Sequence, residues 1–160
     1  MQIKSTVNRL LGTSNGPVKD HAQHYTAQGA DRPEGVSCAS IMVVEDDVLN
    51  QVIARKILTS LGYTVIVANN GQEGIDKLAS ADIDLILMDM QMPIMDGPET
   101  TRRLRAQGYS LPILGFTAST SANDHQRCLE AGMQDVLTKP MQVMALTEAL
   151  SRFLVNHKQQ

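Results

Sequence analysis

Residues 85–89 read LILMD, and residues 90–97 continue as MQMPIMDG. Four large apolar residues in a row, ended by a turn rich in Pro and Asp-Gly, predict a strand that is buried on both faces. Such strands are typical of parallel sheets covered by helices, in which ligands collect at the carboxyl ends of the strands. Asp89 therefore stands where a functional carboxylate is expected, while a turn-capping role is the simpler alternative for the same residue.

The length and charge of the chain restrict its class. Its 160 residues accommodate one domain with an extension, and the formal net charge of -3 offers no basic field for nucleic acid. No apolar run reaches the roughly 18 residues of a membrane span, so we expect no membrane contact by this segment. Cys38 and Cys128 lie too far apart to suggest a disulfide framework, and no signal-peptide pattern precedes them. These features predict a soluble, cytoplasmic protein.

Residues 1–39 are interpreted as a flexible linker or N-terminal extension. Few large apolar residues occur between residues 12 and 40, so this part buries too little surface to offset the entropy of ordering. His21 and His24 have no further ligand beside them, which favours a solvated linker over a metal site. Four apolar residues near the start have the spacing of a short amphipathic helix: Ile3, Val7, Leu10 and Leu11.

Residues 40–156 are predicted to form one domain of alternating strands and helices, followed by a tail at 157–160. Strands are predicted over 41–44, 65–68, 85–89, 113–117 and 136–138, and helices over 48–61, 75–78, 98–105, 122–131 and 143–154. Strands separated by helical segments require crossover connections, so the sheet should be parallel. The predicted fold is α/β, with a doubly wound five-stranded parallel sheet of the flavodoxin-like type.

Parallel strands bring their carboxyl ends to one edge, where several polar residues should meet. These residues are Glu45, Asp46, Asp89, Thr117 and Lys139. Two carboxylates about 4 Å apart repel by roughly 4 kcal/mol at an effective dielectric constant near 20, so one lysine does not neutralise three of them. A hard divalent cation such as Mg²⁺ suits this cluster. Carboxylate, Mg²⁺, hydroxyl and ammonium together are the groups that phosphoryl transfer to an aspartate requires, with Asp89 as the nucleophile.

Four segments resemble the signatures of response-regulator receiver domains, the phosphoacceptor modules of two-component phosphorelays. They are VVEDDVLN at 43–50, LMDMQMPIMDG at 87–97, Thr117-Ala118, and LTKP at 137–140. All four occur in order and each lies at a strand end, so the resemblance covers residues 40–156. It implies the receiver (βα)₅ fold and phosphorylation on an aspartate.

The resemblance also implies a role for each matching position. In chain order these are Glu45 and Asp46 as the acidic pair, Asp89 as the phosphoacceptor, Thr117 as the switch hydroxyl, Ala118 as its neighbour in the binding site, and Lys139 as the lysine of the family. Asp46, Asp89 and the backbone carbonyl of Gln91 would bind Mg²⁺, or Mn²⁺ in its place, with Glu45 acting through water. The Lys139-Pro140 peptide bond would be cis, a form that only X-Pro bonds adopt at low cost.

Partners follow from the same resemblance. The phosphoryl donor would be a histidine kinase or a histidine phosphotransfer protein, and the domain is expected to be a monomer that is not an independent enzyme. The Met-Pro-x-Met-Asp-Gly loop, Asn50 and the long linker resemble the receivers of hybrid sensor kinases. The C-terminal receiver of such a kinase is therefore the favoured setting, with a stand-alone response regulator as the alternative.

Two other function classes are weighed against this interpretation. A Mg²⁺-dependent phosphohydrolase of the haloacid-dehalogenase kind needs a second Asp two residues after the first, where this chain has Gln91. A flavodoxin-like cofactor binder needs a phosphate-cradling loop after the first strand, where residues 45–47 are all acidic and would repel a phosphate.

One position departs from the receiver pattern. Many receivers have Tyr or Phe three residues before the lysine, and this chain has Val136. A valine has a stiff χ1 and little volume, so we predict a muted response of the fifth strand to phosphorylation. Met88, Met92 and Met95 are interpreted as packing residues, since thioethers do not suit Mg²⁺, and Asp96 is interpreted as a turn acceptor. Cys128 in the fourth helix is interpreted as a small buried apolar residue, because no base stands beside it to make it a nucleophile.

Overall fold

A computed structural model describes residues 38–157, in which five strands and five helices alternate. The strands are β1 (Ser40–Val44), β2 (Thr64–Ala68), β3 (Leu85–Asp89), β4 (Ile113–Thr117) and β5 (Asp135–Thr138). The helices are α1 (Val48–Ser60), α2 (Gly71–Leu78), α3 (Gly97–Ala106), α4 (Ala122–Ala131) and α5 (Val143–His157). The helix expected at residues 3–11 and the pair His21 and His24 lie outside the described residues.

The strands form one parallel sheet in the order β2-β1-β3-β4-β5. This order confirms the predicted doubly wound α/β fold. β3 lies in the middle, paired with β1 on one side and β4 on the other, so Asp89 ends the central strand. Within residues 38–157, no helix combines the length and apolar character that crossing a bilayer requires.

β3 is buried along its whole length, as its unbroken apolar run predicts. Its side chains alternate between two cores, because successive residues of a strand point to opposite faces. Ile86 and Met88 belong to the core that contains Leu104 of α3 and Cys128 of α4. Leu85 and Leu87 belong to the core on the other face, which contains residues of α1 and α5: Ala54, Leu58, Leu146, Ala149 and Leu150. Full burial of one such large side chain stabilises the fold by about 1.5–3 kcal/mol.

Three helices begin with an Asp or Asn whose side chain accepts a backbone N–H of the first turn. The caps are Asp47 at α1, Asn70 at α2 and Asp96 at α3, with oxygen–nitrogen distances of 2.8–2.9 Å. Such caps stabilise a helix by about 1 kcal/mol each. The interpretation of Asp96 as a turn acceptor is thereby confirmed, and Asp47 has a structural role beside the acidic pair.

α1 has apolar residues on its exposed side as well as on its buried side. Ala54 and Leu58 face the core, which is the helical period expected from the sequence. Its first two turns, however, expose four apolar side chains that are 68%, 67%, 56% and 42% accessible: Val48, Leu49, Val52 and Ile53. We call these four residues the α1 apolar face. Apolar periodicity in the sequence did not distinguish this exposed face from the buried one.

Arg105 joins α3 to the loops that precede β4 and β5. Its guanidinium donates hydrogen bonds of 2.8–3.0 Å to the carbonyl oxygens of Tyr109, Leu111 and Gly132. It also donates at 3.1 Å to the side-chain oxygen of Gln134. Burial lowers the pKa of Arg105 below its usual value. The half-buried residue acts as a cross-link, since it satisfies two backbone carbonyls of the α3–β4 loop and one of the α4–β5 loop.

Candidate functional site

The predicted site residues meet in one cleft of about 380 Å³ at the carboxyl edge of the sheet. Asp89 ends β3 and Thr117 ends β4, while Glu45 and Lys139 directly follow β1 and β5. Backbone hydrogen bonds hold these strand ends together, including Lys139 N to the carbonyl of Thr117 at 2.7 Å. Every predicted site residue lines the cleft: Glu45, Asp46, Asp89, Gln91, Thr117, Ala118 and Lys139.

Three carboxylates and one ammonium group dominate the cleft. Glu45, Asp46 and Asp89 each offer a carboxylate oxygen, and these oxygens lie within 4.8 Å of one another. Glu45 and Asp89 are buried, at 4% and 5% exposure, whereas Asp46 is exposed. Lys139 Nζ lies 2.9 Å from Glu45 Oε2 and 3.2 Å from Asp89 Oδ1. One lysine therefore neutralises only part of the negative charge of the cluster.

The charges of the cluster shift the pKa of Asp89. Burial and the negative charge of Glu45 raise this pKa from 3.8 to about 6, against the opposing effects of Lys139 and the Gln91 backbone. For Lys139, burial disfavours the charged form, but its bonds and charge interactions with Glu45 and Asp89 outweigh burial and raise its pKa. The ammonium is thus firmly protonated, and the Asp89 carboxylate is destabilised.

The donor atoms of the cluster fit Mg²⁺. This ion prefers oxygen ligands and is usually held by one or two carboxylates, with waters and substrate oxygens completing the shell. Exposed Asp46 and buried Asp89 offer such oxygens from two neighbouring strand ends. Gln91 lies beside them, and its backbone nitrogen donates to Asp89 Oδ1 over a nitrogen–oxygen distance of 3.4 Å. Mn²⁺ uses the same oxygen ligands.

Thr117 is placed in the cleft, and its hydroxyl has a partner within its own loop. The side chain is buried at 4% exposure, and Oγ1 accepts the backbone N–H of Ser119 at 3.0 Å. Ala118, the residue between them, is exposed at the cleft surface. The hydroxyl therefore fixes the start of the β4–α4 loop, so any movement of Thr117 would move that loop as well.

The cis Lys139-Pro140 bond predicted from the sequence is confirmed.

Val136 is half-buried and lines a cavity of about 240 Å³ between β5 and α5, together with Phe116, Met141 and Leu146. The packing roles of Met88, Met95 and Cys128 are confirmed by their burial. Met92 is partly buried and packs against the core that contains Met88 and Cys128.

Gln51 supports the site but was not predicted from the sequence. Its side-chain amide donates to the backbone carbonyl of Glu45 at 2.6 Å and to Asn69 Oδ1 at 2.9 Å. It therefore ties the β1–α1 loop to the end of β2. The backbone N–H of Asp47 adds a 3.1 Å bond to Glu45 Oε1, which orients that carboxylate. The available signal was the polar Gln51 among the apolar residues that begin α1.

Comparison with known proteins agrees with this geometry. Residues 41–151 match the response regulator receiver domain family. The sensor histidine kinase RcsC of Salmonella typhi is 41% identical over 111 residues, which cover 69% of this chain but only 12% of RcsC.

Two solved receivers share the fold over 74% of this chain. The receiver of the sensor histidine kinase PA1611 from Pseudomonas aeruginosa is 36% identical with a TM-score of 0.69, is covered over 99% of its length, and has a magnesium ion in its active-site cleft. The receiver of Saccharomyces cerevisiae Ssk1, solved with the histidine phosphotransfer protein Ypd1, is 28% identical with a TM-score of 0.68 and is covered over 90%.

The family match includes all five strands except Ser40, and all four signature segments. The similar proteins described above are two sensor histidine kinases and one downstream response regulator. The acidic cleft, the central aspartate and the lysine after β5 occupy the strand ends that the receiver signatures predict. This chain belongs to the response regulator receiver domain family of two-component phosphorelays.

Proposed function

We propose that Asp89 accepts a phosphoryl group from the phosphohistidine of a histidine kinase or a histidine phosphotransfer protein. The observation that carries this proposal is a buried carboxylate at the end of the central strand, 3.2 Å from Lys139 and beside two further carboxylates. A carboxylate oxygen of Asp89 forms the new O–P bond while the P–N bond breaks, and its electron pair returns to the imidazole. Lys139, Thr117 and the backbone at Ala118 hold the phosphoryl oxygens.

Mg²⁺ is the proposed cofactor, with Mn²⁺ as a substitute. Asp46, Asp89 and the backbone carbonyl of Gln91 would bind the ion directly, and Glu45 would act through water. When bound, the ion neutralises charge on the phosphoryl oxygens and on the carboxylates. The oxygen-only donor set of the cluster and the magnesium ion of the PA1611 receiver support this assignment.

The donor protein is proposed to dock on the α1 apolar face. Asp89 is only 5% exposed, so a protein that brings its histidine to this residue must contact the surface around the cleft. Asn50 of α1 lines the cleft, and the apolar face begins beside it. Contiguous exposed apolar residues of this kind are typical of protein interaction sites. The complex of the Ssk1 receiver with Ypd1 shows that a similar receiver binds such a partner.

The proposed setting is the receiver of a hybrid sensor kinase, at the C-terminal end of that protein. Residues 1–39 would be its linker, 40–156 the receiver and 157–160 a tail. The similarity to RcsC and to the sensor protein EvgS of Escherichia coli supports this setting over a stand-alone response regulator. A kinase core encoded directly upstream of Met1 would support it, and a stop codon with an independent start there would favour the alternative.

Phosphorylation by acetyl phosphate tests the acceptor without a protein partner. The parent chain with Mg²⁺ should gain one base-labile phosphoryl group, measured by intact mass, and Asp89→Asn should gain none. Asp82→Asn is the matched control, since Asp82 is an exposed acid in the loop before β3. Labelling of Asp89→Asn at the parent's level would refute the assignment.

A further inference from the structure

The carboxylate of Asp46 takes its position from the backbone of the β1–α1 loop. Within residues 38–157, no hydrogen bond or ion pair reaches this carboxylate, although it belongs to the acidic cluster. The loop has only three residues, Glu45 to Asp47, between the end of β1 and the start of α1. Whatever fixes the backbone of Glu45 therefore also fixes where the Asp46 carboxylate lies.

Both backbone polar groups of Glu45 are bonded on the side of β2. Its N–H donates at 3.0 Å to the carbonyl of Ala68, the last residue of that strand. Its carbonyl accepts the side-chain amide of Gln51 at 2.6 Å. The amide thus supplies the donor that a longer β2 would have supplied, and it holds the loop in place beyond the strand end.

A row of hydrogen bonds in turn holds the amide of Gln51. Its Nε2 group also donates to Asn69 Oδ1 at 2.9 Å. Asn69 turns this oxygen toward Gln51 because its backbone N–H and its Nδ2 group both donate to Glu73 Oε2, at 3.0 and 2.8 Å. Hydrogen bonds from Lys77 and Asn69 lower the pKa of Glu73 from 4.5 to about 2, so this acceptor stays ionised. We call Gln51, Asn69 and Glu73 the loop anchor.

The rigidity of this loop bears on the choice of cation. Mg²⁺ demands near-ideal octahedral geometry with oxygens at about 2.0–2.1 Å, whereas Ca²⁺ accepts roughly six to eight oxygens at about 2.3–2.6 Å in flexible geometry. Asp89 is already held by its place on the central strand and by Lys139. The freedom of Asp46 therefore decides how closely the cluster keeps the geometry that Mg²⁺ demands.

We infer that Gln51 is a positioning residue that selects Mg²⁺ over Ca²⁺ by fixing the loop that carries Asp46. This inference rests on the proposed function, in which Asp46 and Asp89 bind the ion. Gln51 does not itself line the cleft, and it acts through the carbonyl of Glu45. Residues that orient metal ligands from outside typically change metal affinity by about tenfold to a hundredfold.

Titration calorimetry with MgCl₂ and with CaCl₂ tests this inference on the full chain. Gln51→Met keeps the length of the side chain but removes the donor, so its Mg²⁺ dissociation constant should rise about tenfold. Its Ca²⁺ dissociation constant should rise by less than about twofold, because Ca²⁺ tolerates a looser set of oxygens. Gln126→Met is the matched control and should leave both constants unchanged, since Gln126 is an exposed amide of α4 that bonds Glu130 of the same helix at 3.0 Å.

Asn69→Ala gives an independent test from an exposed position, and it decides the matter alone if Gln51→Met does not fold. It should raise the Mg²⁺ constant about threefold, because Gln51 keeps one of its two hydrogen bonds, and it should have no further effect in Gln51→Met. An unchanged Mg²⁺ constant, an equal rise for both ions, or the same rise in Gln126→Met would overturn the selective role of Gln51. Absence of Mg²⁺ binding by the parent would instead refute the metal site of the proposed function.

Discussion

Replacing Asp89 by Asn should remove a pH-dependent destabilisation of the metal-free domain. The folded protein holds the pKa of Asp89 at about 6, above its ordinary value of 3.8, because the carboxylate is buried and lies beside Glu45. A raised pKa means that the folded state favours the neutral form. The stability contributed by this group is therefore fully present below about pH 3.8 and is lost as the pH rises through about 6.

The size of the effect follows from the pKa difference. One pKa unit corresponds to about 1.4 kcal/mol, so a change from 3.8 to about 6 amounts to roughly 3 kcal/mol at neutral pH. About 2 kcal/mol of this total falls between roughly pH 4.5 and pH 7.5. The raised pKa of Lys139 acts only in alkaline solution, outside this window. Other titrating groups are shared by the parent and the variant and largely cancel in their difference.

Urea unfolding in EDTA measures this difference directly. The free energy of unfolding of Asp89→Asn, minus that of the parent, should rise by about 2 kcal/mol from roughly pH 4.5 to pH 7.5. Asp82→Asn should show no such rise, because Asp82 is exposed. Saturating Mg²⁺ should abolish the rise by stabilising the Asp89 carboxylate of the parent. A difference that stays constant with pH would refute the view that the cluster destabilises a buried charge.

Three further predictions concern the metal site, the Arg105 cross-link at the start of β4 and β5, and the response of the domain to a phosphoryl mimic. Mg²⁺ at about 100 times its dissociation constant should stabilise the parent by roughly 2.7 kcal/mol, and Asp46→Ala should abolish this gain in thermal unfolding. Arg105→Met should lower the free energy of unfolding by about 2 kcal/mol, because it leaves three part-buried carbonyls without their charged donor. Beryllofluoride should shift amide resonances of residues 117–122 more than those of 136–150, because Val136 replaces the usual aromatic ring.

Each of these predictions has a result that would contradict it. A melting temperature that does not respond to Mg²⁺ would mean that the acidic cluster is not a metal site. Unchanged stability of Arg105→Met, with Arg103→Met as the control on the exposed side of α3, would show that water replaces the guanidinium. Equal amide shifts in the two ranges would show that Val136 does not mute the switch.

The fold and the members of the site follow from strong local signals in the sequence. The unbroken apolar run of β3 predicts burial on both faces, and the structure divides these residues between two cores. Because the sheet is parallel, residues at the ends of different strands meet at one edge. Asp89 and Lys139, 50 positions apart in the chain, thereby lie 3.2 Å from each other. The alternation of strands and helices, which predicts a parallel sheet, and the polar residue at each strand end sufficed for this prediction.

Other features depend on interactions that the local sequence does not encode. The early apolar residues of α1 have a helical spacing, but the spacing alone does not show which face meets the sheet. The hydroxyl of Thr117 bonds within its own loop because Ser119 folds back to it, and this requires the geometry of the turn. The φ of Ile94 is 73°, a conformation that a β-branched residue rarely adopts, so the amino acid at this position gave no sign of it.

The acidic cluster opposes ionisation of the residue that the sheet places at its centre. Burial and the negative charge of Glu45 disfavour the Asp89 carboxylate, and Lys139 at 3.2 Å offsets only part of that cost. The folded state favours the neutral form of Asp89, so the cost appears only when this carboxyl group ionises. A divalent cation removes the cost by neutralising the carboxylates, so Mg²⁺ should stabilise the parent more at about pH 7.5 than at about pH 4.5.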